Sequence, residues 1–294
     1  MSNLALELAG GAPSAIDRSG HDRAGSGAPG KVSACAKGWY DPFGEATPGV
    51  TVRSMVTSAY DAIAEWYDAW VGTGSMRDDP FFPTVEALMG EIGGLTVCDL
   101  ACGQGRVARY LAGLGARVVG VDLSAKLLAI ARRHEEAEPR GVAYLQADAR
   151  QLDGIVDAAF DGLICHLALM DIADLAPTLR GIARILKPAG WLVFSILHPC
   201  YNSSRSGEIE SPEGIARVVA GYFTEGYWRS ETRTGPPGKV GAYHRTLSTY
   251  VNTLADVGLA LDRVAEPRAT GIAAEKRPVW AEVPAVLVVR CQKV

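Results

Sequence analysis

The chain has 294 residues, 48% hydrophobic and 21% charged, which is enough to bury a core without disulfides or a metal staple. Lysine plus arginine (29) against aspartate plus glutamate (33) leaves a formal charge of -4, which argues against nucleic acid or an anionic membrane as partner. No apolar run reaches the roughly 18 residues of a spanning helix, and the first residues lack a basic segment followed by an apolar core, so a cytoplasmic address is expected. The six cysteines show no zinc-knuckle spacing and read as free thiols, with Cys98 and Cys102 as packing residues, so no metal is expected.

Residues 1–52 are expected to form a flexible arm, because Gly10 to Gly30 is rich in Gly, Ala, Ser, Pro and Asp without a sustained apolar period. A folded domain is expected over 53–294. It opens with Val56, Tyr60, Ile63, Tyr67 and Trp70, spaced as one face of an amphipathic helix. From Leu95 short apolar runs alternate with helical periods, the signature of an α/β domain with a parallel sheet. Strands are expected at Leu95 to Leu100, Ala116 to Val121, Val142 to Gln146, Phe160 to Cys165 and Trp191 to Leu197. Helices are expected from Arg106, after the N-cap Ser124, and after Asp174, the last stopped by Pro188. An irregular segment at about 200–244 reads as a substrate lid. A helix with Leu247, Val251 and Leu254 follows, then two strands, Leu259 to Glu266 and Ala285 to Arg290, that pair antiparallel and bring the sheet to seven.

The chemistry is concentrated in Asp99-Leu-Ala-Cys-Gly-Gln-Gly105, between the first strand and its helix. Gly103 and Gly105 allow a tight turn and close approach of a ligand at the carboxyl edge of the sheet. Glycines and Asp122 alone would also suit a dinucleotide. Asp99 separates the two, because a carboxylate there opposes a pyrophosphate and suits an ammonium. The segment resembles the first motif of class I S-adenosylmethionine-dependent methyltransferases, with Ala101 at the first glycine place. VGVDLS, LQADAR, FDGLICHLALMDI and LKPAGWLVFSI follow in the order of that family.

The resemblance implies a Rossmann-like, mostly parallel seven-stranded sheet with its last strand antiparallel, and S-adenosylmethionine as cofactor. It places Asp99, Ala101, Cys102, Gly103 and Gly105 at the methionine end, Asp122 on the ribose hydroxyls, Leu123 beside adenine, Asp148 and Ala149 on the adenine edge, and Cys165 and His166 beneath the methionine moiety. Tyr60 and Tyr67 are candidates to cover the sulfonium, since aromatic faces tolerate a cation. His198, His166 and His244 are candidate bases at the carboxyl edge. Tyr201, Tyr222, Phe223, Tyr227, Trp228 and Tyr243 are candidate substrate contacts and suggest a ring-bearing or apolar small molecule. Oxygen, nitrogen and carbon acceptors stay open, as do monomer and homodimer. The rival readings are a cofactor-binding protein that promotes a cyclisation and an NAD(P)-dependent oxidoreductase.

Overall fold

The computed structural model describes residues 57–294 except 73, 75, 213 and 232–234, and the side chains at 77 and 211 are also outside the description. The expectations for the arm and for Val56 lie outside the described residues. The apolar runs form strands β1 (Thr96–Leu100), β2 (Arg117–Asp122), β3 (Ala143–Gln146), β4 (Phe160–His166) and β5 (Leu186–Leu197). β1 is buried along its whole length, as a strand covered on both faces must be. Beyond β5 the chain leaves the sheet. There β6 (Gly207–Ser211) pairs with β7 (Gly214–Val218), and β8 (Gly226–Trp228) with β9 (Ala242–His244). It returns as β10 (Leu259–Ala265) and β11 (Val286–Lys293).

The main sheet has seven strands in the order β3-β2-β1-β4-β5-β11-β10, with β11 antiparallel to both of its neighbours. Strand order reverses between β1 and β4, so their carboxyl ends diverge into a crevice, where open α/β sheets bind ligands. Alternate residues feed two cores. Leu163 and Cys165 of β4 enter one with Leu179 and Phe194, and Ile164 enters the other with Val97, Leu111 and Val288.

The helices are α1 (Ala64–Val71), α2 (Phe82–Met89), α3 (Arg106–Gly113), α4 (Ala125–Ala137), α5 (Leu175–Ile185), α6 (Pro236–Lys239), α7 (Leu247–Asp256) and α8 (Gly271–Lys276). Ser124 caps α4 as its sequence position suggests, its Oγ accepting from Leu127 N at 3.1 Å. The opening stripe is not one helix. A 3-10 turn at Ala59–Ala62, capped by Ser58, breaks at Ile63 before α1, which turns Tyr60 edge-on to Tyr67 at 5.2 Å.

Helix α2 was not expected, yet Phe82, Val85 and Met89 stand at helical spacing behind a first-turn proline and are all buried. Helix α5 stops at Ile185 rather than at Pro188. Proline disfavours a helical residue before it, and the backbone is already extended from Leu186. In α7 Leu254 is buried and Leu247 packs against the core as expected, while Val251 is exposed and Tyr250 takes its place on the inward face.

Candidate active site

From Leu100 the chain turns through three left-handed residues, Ala101 (φ 57°), Gly103 (φ 56°) and Gly105 (φ 81°), before entering α3. Ala101 pays about 1–2 kcal/mol for that conformation, strain of the kind stored at functional turns. The turn points Gly103 N at Asp122 Oδ2, 2.8 Å away, and Ser124 N donates to Asp122 Oδ1 at 2.7 Å. A Cβ on Gly105 would fall 2.3 Å from Tyr144 Oη, so Gly105 lets the loop seat against β3 and does not itself line the crevice.

The crevice has two lobes. A larger one of about 400 Å³ is walled by Tyr60, Tyr67, Ala101, Gly103, Asp122, Leu123, Asp148, Ala149, His166, Asp171, Tyr227 and Tyr243, among others. A smaller one of about 260 Å³ is walled by Asp79, Asp99, Cys102, Gln104 and Arg106 and shares Tyr67, Ala101, His166 and Leu167 with the first. Residues 59–71, which cover this edge with Tyr60 and Tyr67, are anchored by Asp61, its Oδ1 accepting from Ser124 Oγ at 2.6 Å. Gln104 Nε2 and Arg106 Nε donate to Gly72 O and Gly74 O, which ties α1's exit to the glycine turn.

The lining is acidic and its carboxylates differ in how they are satisfied. Asp99 is fully buried, and its Oδ2 has no partner; Gln104 Oε1 has none either. Burial, opposed by Ala108 N and reinforced by the charge of Asp122, pushes Asp99 up to about 8. Burial also raises Asp122, against the hydrogen bonds from Ser124 and Gly103. Asp148 lies below the usual carboxylate range because the Arg150 guanidinium grips both its oxygens, Nε on Oδ1 at 3.0 Å and Nη2 on Oδ2 at 2.6 Å. Asp171 accepts from Tyr60 Oη at 2.6 Å.

Asp99 and Gln104 both line the smaller lobe, and their unpartnered acceptors would suit a group that only donates, such as an ammonium. Asp122 offers acceptors to vicinal hydroxyls in the larger lobe, where Tyr60 stands edge-on to Tyr67, a residue that lines both lobes. These residues fit S-adenosylmethionine. They do not fit a pyrophosphate, which would meet Asp99, Asp122 and Asp171.

His166 lines the crevice at the end of β4 as expected, whereas His198 and His244 are placed differently from expectation. His166 lines both lobes, but both its nitrogens are engaged: Nδ1 lies 2.7 Å from Ser195 Oγ, which also accepts from Leu167 N, and Nε2 lies 3.4 Å from Asp79 Oδ2. His198 is buried off the crevice, its Nδ1 accepting from Cys200 N at 3.1 Å and its Nε2 donating to Glu266 at 2.9 Å. Burial lowers its affinity for a proton despite Glu266. His244 is also buried off the crevice, between Asn202 O and Tyr222 O at 3.1 and 2.7 Å.

Among the other expected contacts, Tyr227 and Tyr243 reach the larger lobe, paired across β8 and β9. Tyr201 is buried elsewhere, donating to Glu208 at 2.6 Å beneath Arg217. Tyr222 uses its hydroxyl to accept from Leu247 N at the start of α7, Phe223 is 89% exposed, and Trp228 packs on the core. Cys165 is buried inside the core rather than on the crevice wall. Sequence reasoning missed Asp79, Gln104, Arg150, Asp171 and Ser195. Gln104, Arg150, Asp171 and Ser195 fall inside the motif segments, where nothing local in the sequence sets them apart.

Comparison with known proteins matches this geometry. A family model described as a methyltransferase domain matches residues 98–194, from β1 into β5. The ubiquinone biosynthesis O-methyltransferases of Thiobacillus denitrificans and Alkalilimnicola ehrlichii are 36% and 29% identical over 107 and 168 residues. Those stretches are 36% and 57% of this chain, and it covers 46% and 58% of the two relatives, about half the length of each. The cyclase SpnF shares the fold at 16% identity and a TM-score of 0.56, over 81% of this chain and 96% of that one. The crystal structure of an S-adenosylmethionine-dependent methyltransferase from Mesorhizobium loti superposes with a TM-score of 0.64 at 33% identity, over 73% of this chain and 98% of that one. With the acidic crevice at the end of β1 and likeness over nearly the whole of that structure, the chain belongs to the class I S-adenosylmethionine-dependent methyltransferases.

Proposed function

We propose that the protein transfers the methyl group of S-adenosylmethionine to a small, ring-bearing acceptor held beneath the 200–244 insertion. When bound, the cofactor supplies a methyl carbon already activated by a positive sulfur, so the chain contributes chiefly placement. In this reading Asp99 and Gln104 hold the ammonium, Asp122 holds the ribose hydroxyls, and Leu123, Asp148 and Ala149 border the adenine. Tyr60 and Tyr67 exclude water from the crevice they line, and His166 forms part of its wall, held by Ser195 and Asp79.

The observation that carries the reading is the pair of buried, unpartnered oxygens, Asp99 Oδ2 and Gln104 Oε1, on residues lining a lobe that shares Tyr67, Ala101, His166 and Leu167 with the Asp122 cleft. Tyr227 and Tyr243 support a ring-bearing acceptor, and the similarity to ubiquinone biosynthesis O-methyltransferases supports an oxygen on that ring. The net charge of -4 favours a small molecule over nucleic acid. The test is calorimetric titration with S-adenosylhomocysteine beside NADH and NADPH. Saturable binding of the nucleoside thioether alone is expected; binding of a nicotinamide dinucleotide in its place would overturn the reading.

A further inference from the structure

The carboxylates of the larger lobe divide by what they hold. Asp122 takes two backbone N–H groups and Asp148 takes a guanidinium, whereas Asp171 receives one neutral hydroxyl, that of Tyr60 at 2.6 Å. It ends the 3-10 turn Leu169–Asp171 just past the carboxyl end of β4 and lines the lobe with Tyr60 and Tyr67. The turn is held from behind. Arg245, buried at the start of α7, donates to Leu169 O, Ile172 O and Ala173 O at 3.2, 2.6 and 2.7 Å, and its guanidinium lies against the rings of Tyr243 and Tyr250. A rigid support therefore presents a nearly unpaired carboxylate to the cleft. Such a group costs stability, and an asparagine of the same shape would cost less.

Resting on the methyltransferase reading, we propose that Asp171 takes the proton of the methyl acceptor, and that the acceptor is therefore a ring-bearing protic nucleophile, with O–H or N–H at the reacting atom. His198 and His244 lie off the crevice and His166 is engaged at both nitrogens, which leaves Asp171 to do this work. Asp171 removes the hydrogen as the acceptor's lone pair bonds to the methyl carbon. The carbon–sulfur bond breaks with its electron pair staying on sulfur, and Asp171 passes the proton to solvent as the product leaves. The positive charge of the sulfonium thus leaves as that proton.

The environment suits the task. Tyr60, Tyr67, Asp122, Cys165 and Tyr250 face Asp171 from the cover, β2, β4 and α7. Burial pushes its carboxyl up to about 7, the Tyr60 hydrogen bond working against the rise and Asp122 adding to it. A proton acceptor works best with its affinity near the operating pH.

The experiment measures transfer of labelled methyl from S-adenosylmethionine to catechol, aniline and pyridine, of which only pyridine has no hydrogen on its nucleophilic atom, with S-adenosylhomocysteine affinity measured alongside. The expected result is transfer to catechol or aniline with a rate that rises through pH 7. Asp171→Asn should lower it about 100-fold and remove the acidic limb, while binding S-adenosylhomocysteine within about threefold of the wild type. Asp171→Glu should restore part of the rate, and Tyr60→Phe should move the limb to higher pH. Catechol and aniline as the two arms separate a hydroxyl from an amine acceptor. Unchanged rates in Asp171→Asn, transfer to pyridine alone, or transfer to none of the three by protein that binds S-adenosylhomocysteine would overturn the proposal. Failure to bind S-adenosylhomocysteine at all would instead overturn the methyltransferase reading beneath it.

Discussion

The two halves of the sheet's carboxyl edge are built from similar polar residues and differ in how completely those residues are satisfied. On the β5 side His198, His244 and Tyr201 are buried with partners for their polar atoms, and they hold the insertion and β10 in place. On the β1–β4 side Asp99 has an unpartnered oxygen, and Asp99, Asp122 and Asp171 are all raised by burial. Native proteins satisfy buried polar groups almost everywhere; the exceptions among the described residues include Arg217 Nε in the insertion, but only Asp99 Oδ2 and Gln104 Oε1 belong to residues that line the crevice. Residue type alone misleads here: His198 and His244, candidate bases in the sequence, are buried away from the crevice, which Asp99, Asp122 and Asp171 line.

The largest effect that would break this contrast is loss of the ribose contact. Asp122→Ala and Gly103→Val should each weaken S-adenosylhomocysteine about 100-fold or more, since charged hydrogen bonds contribute about 1.5–3 kcal/mol apiece and a side chain at Gly103 is strained at φ 56° beside Tyr67. Calorimetry checks this, and retained affinity in both variants would remove the crevice from the account.

Asp99→Asn separates stability from binding. The folded value of Asp99, about 8, lies above the unfolded carboxylate value near 4, so at neutral pH the folded chain holds a proton that the unfolded chain has released. That stability is complete below about pH 4 and declines as pH rises towards 8. The variant should therefore unfold roughly 2–4 °C higher at pH 7.5, with a flatter dependence on pH, and bind S-adenosylhomocysteine about 10-fold more weakly. A lower Tm with unchanged affinity would show that Asp99 is already paired.

His198→Ala should do the reverse. Removing the Glu266 and Cys200 partner should cost about 1–2 kcal/mol by thermal unfolding and leave S-adenosylhomocysteine affinity within about twofold. The smallest effect belongs to Phe223→Ser, which should leave stability within about 0.5 kcal/mol because the side chain is almost wholly exposed. A large loss of methyl transfer in this variant would mean that the insertion moves onto the acceptor.

Much of the acidic half is legible in the sequence because each of its main residues ends a short apolar run: Asp99 near the end of β1, Asp122 at the end of β2, Asp148 just past β3. Period and punctuation locate these without any long-range information. Asp171 is not legible in that way, since its significance depends on Tyr60, 111 positions earlier in the chain. The insertion is harder still. Tyr227 pairs with Tyr243, and Trp228 with Ala242, across a three-residue ladder whose alternation sends the tyrosines to the cleft and the other pair to the core. No apolar period announces so short a ladder, which is why six aromatics looked equivalent and two line the cleft.

The central claim is that the unsatisfied oxygens of the β1–β4 edge await the ammonium of an adenosyl cofactor. A crystal structure of the complex with S-adenosylhomocysteine tests it most directly. The amino group is expected within hydrogen-bond distance of Asp99 Oδ2 and Gln104 Oε1, with both ribose hydroxyls on Asp122. An amino group facing solvent, or a ligand seated outside these two lobes while Asp99 stays unpaired, would contradict it.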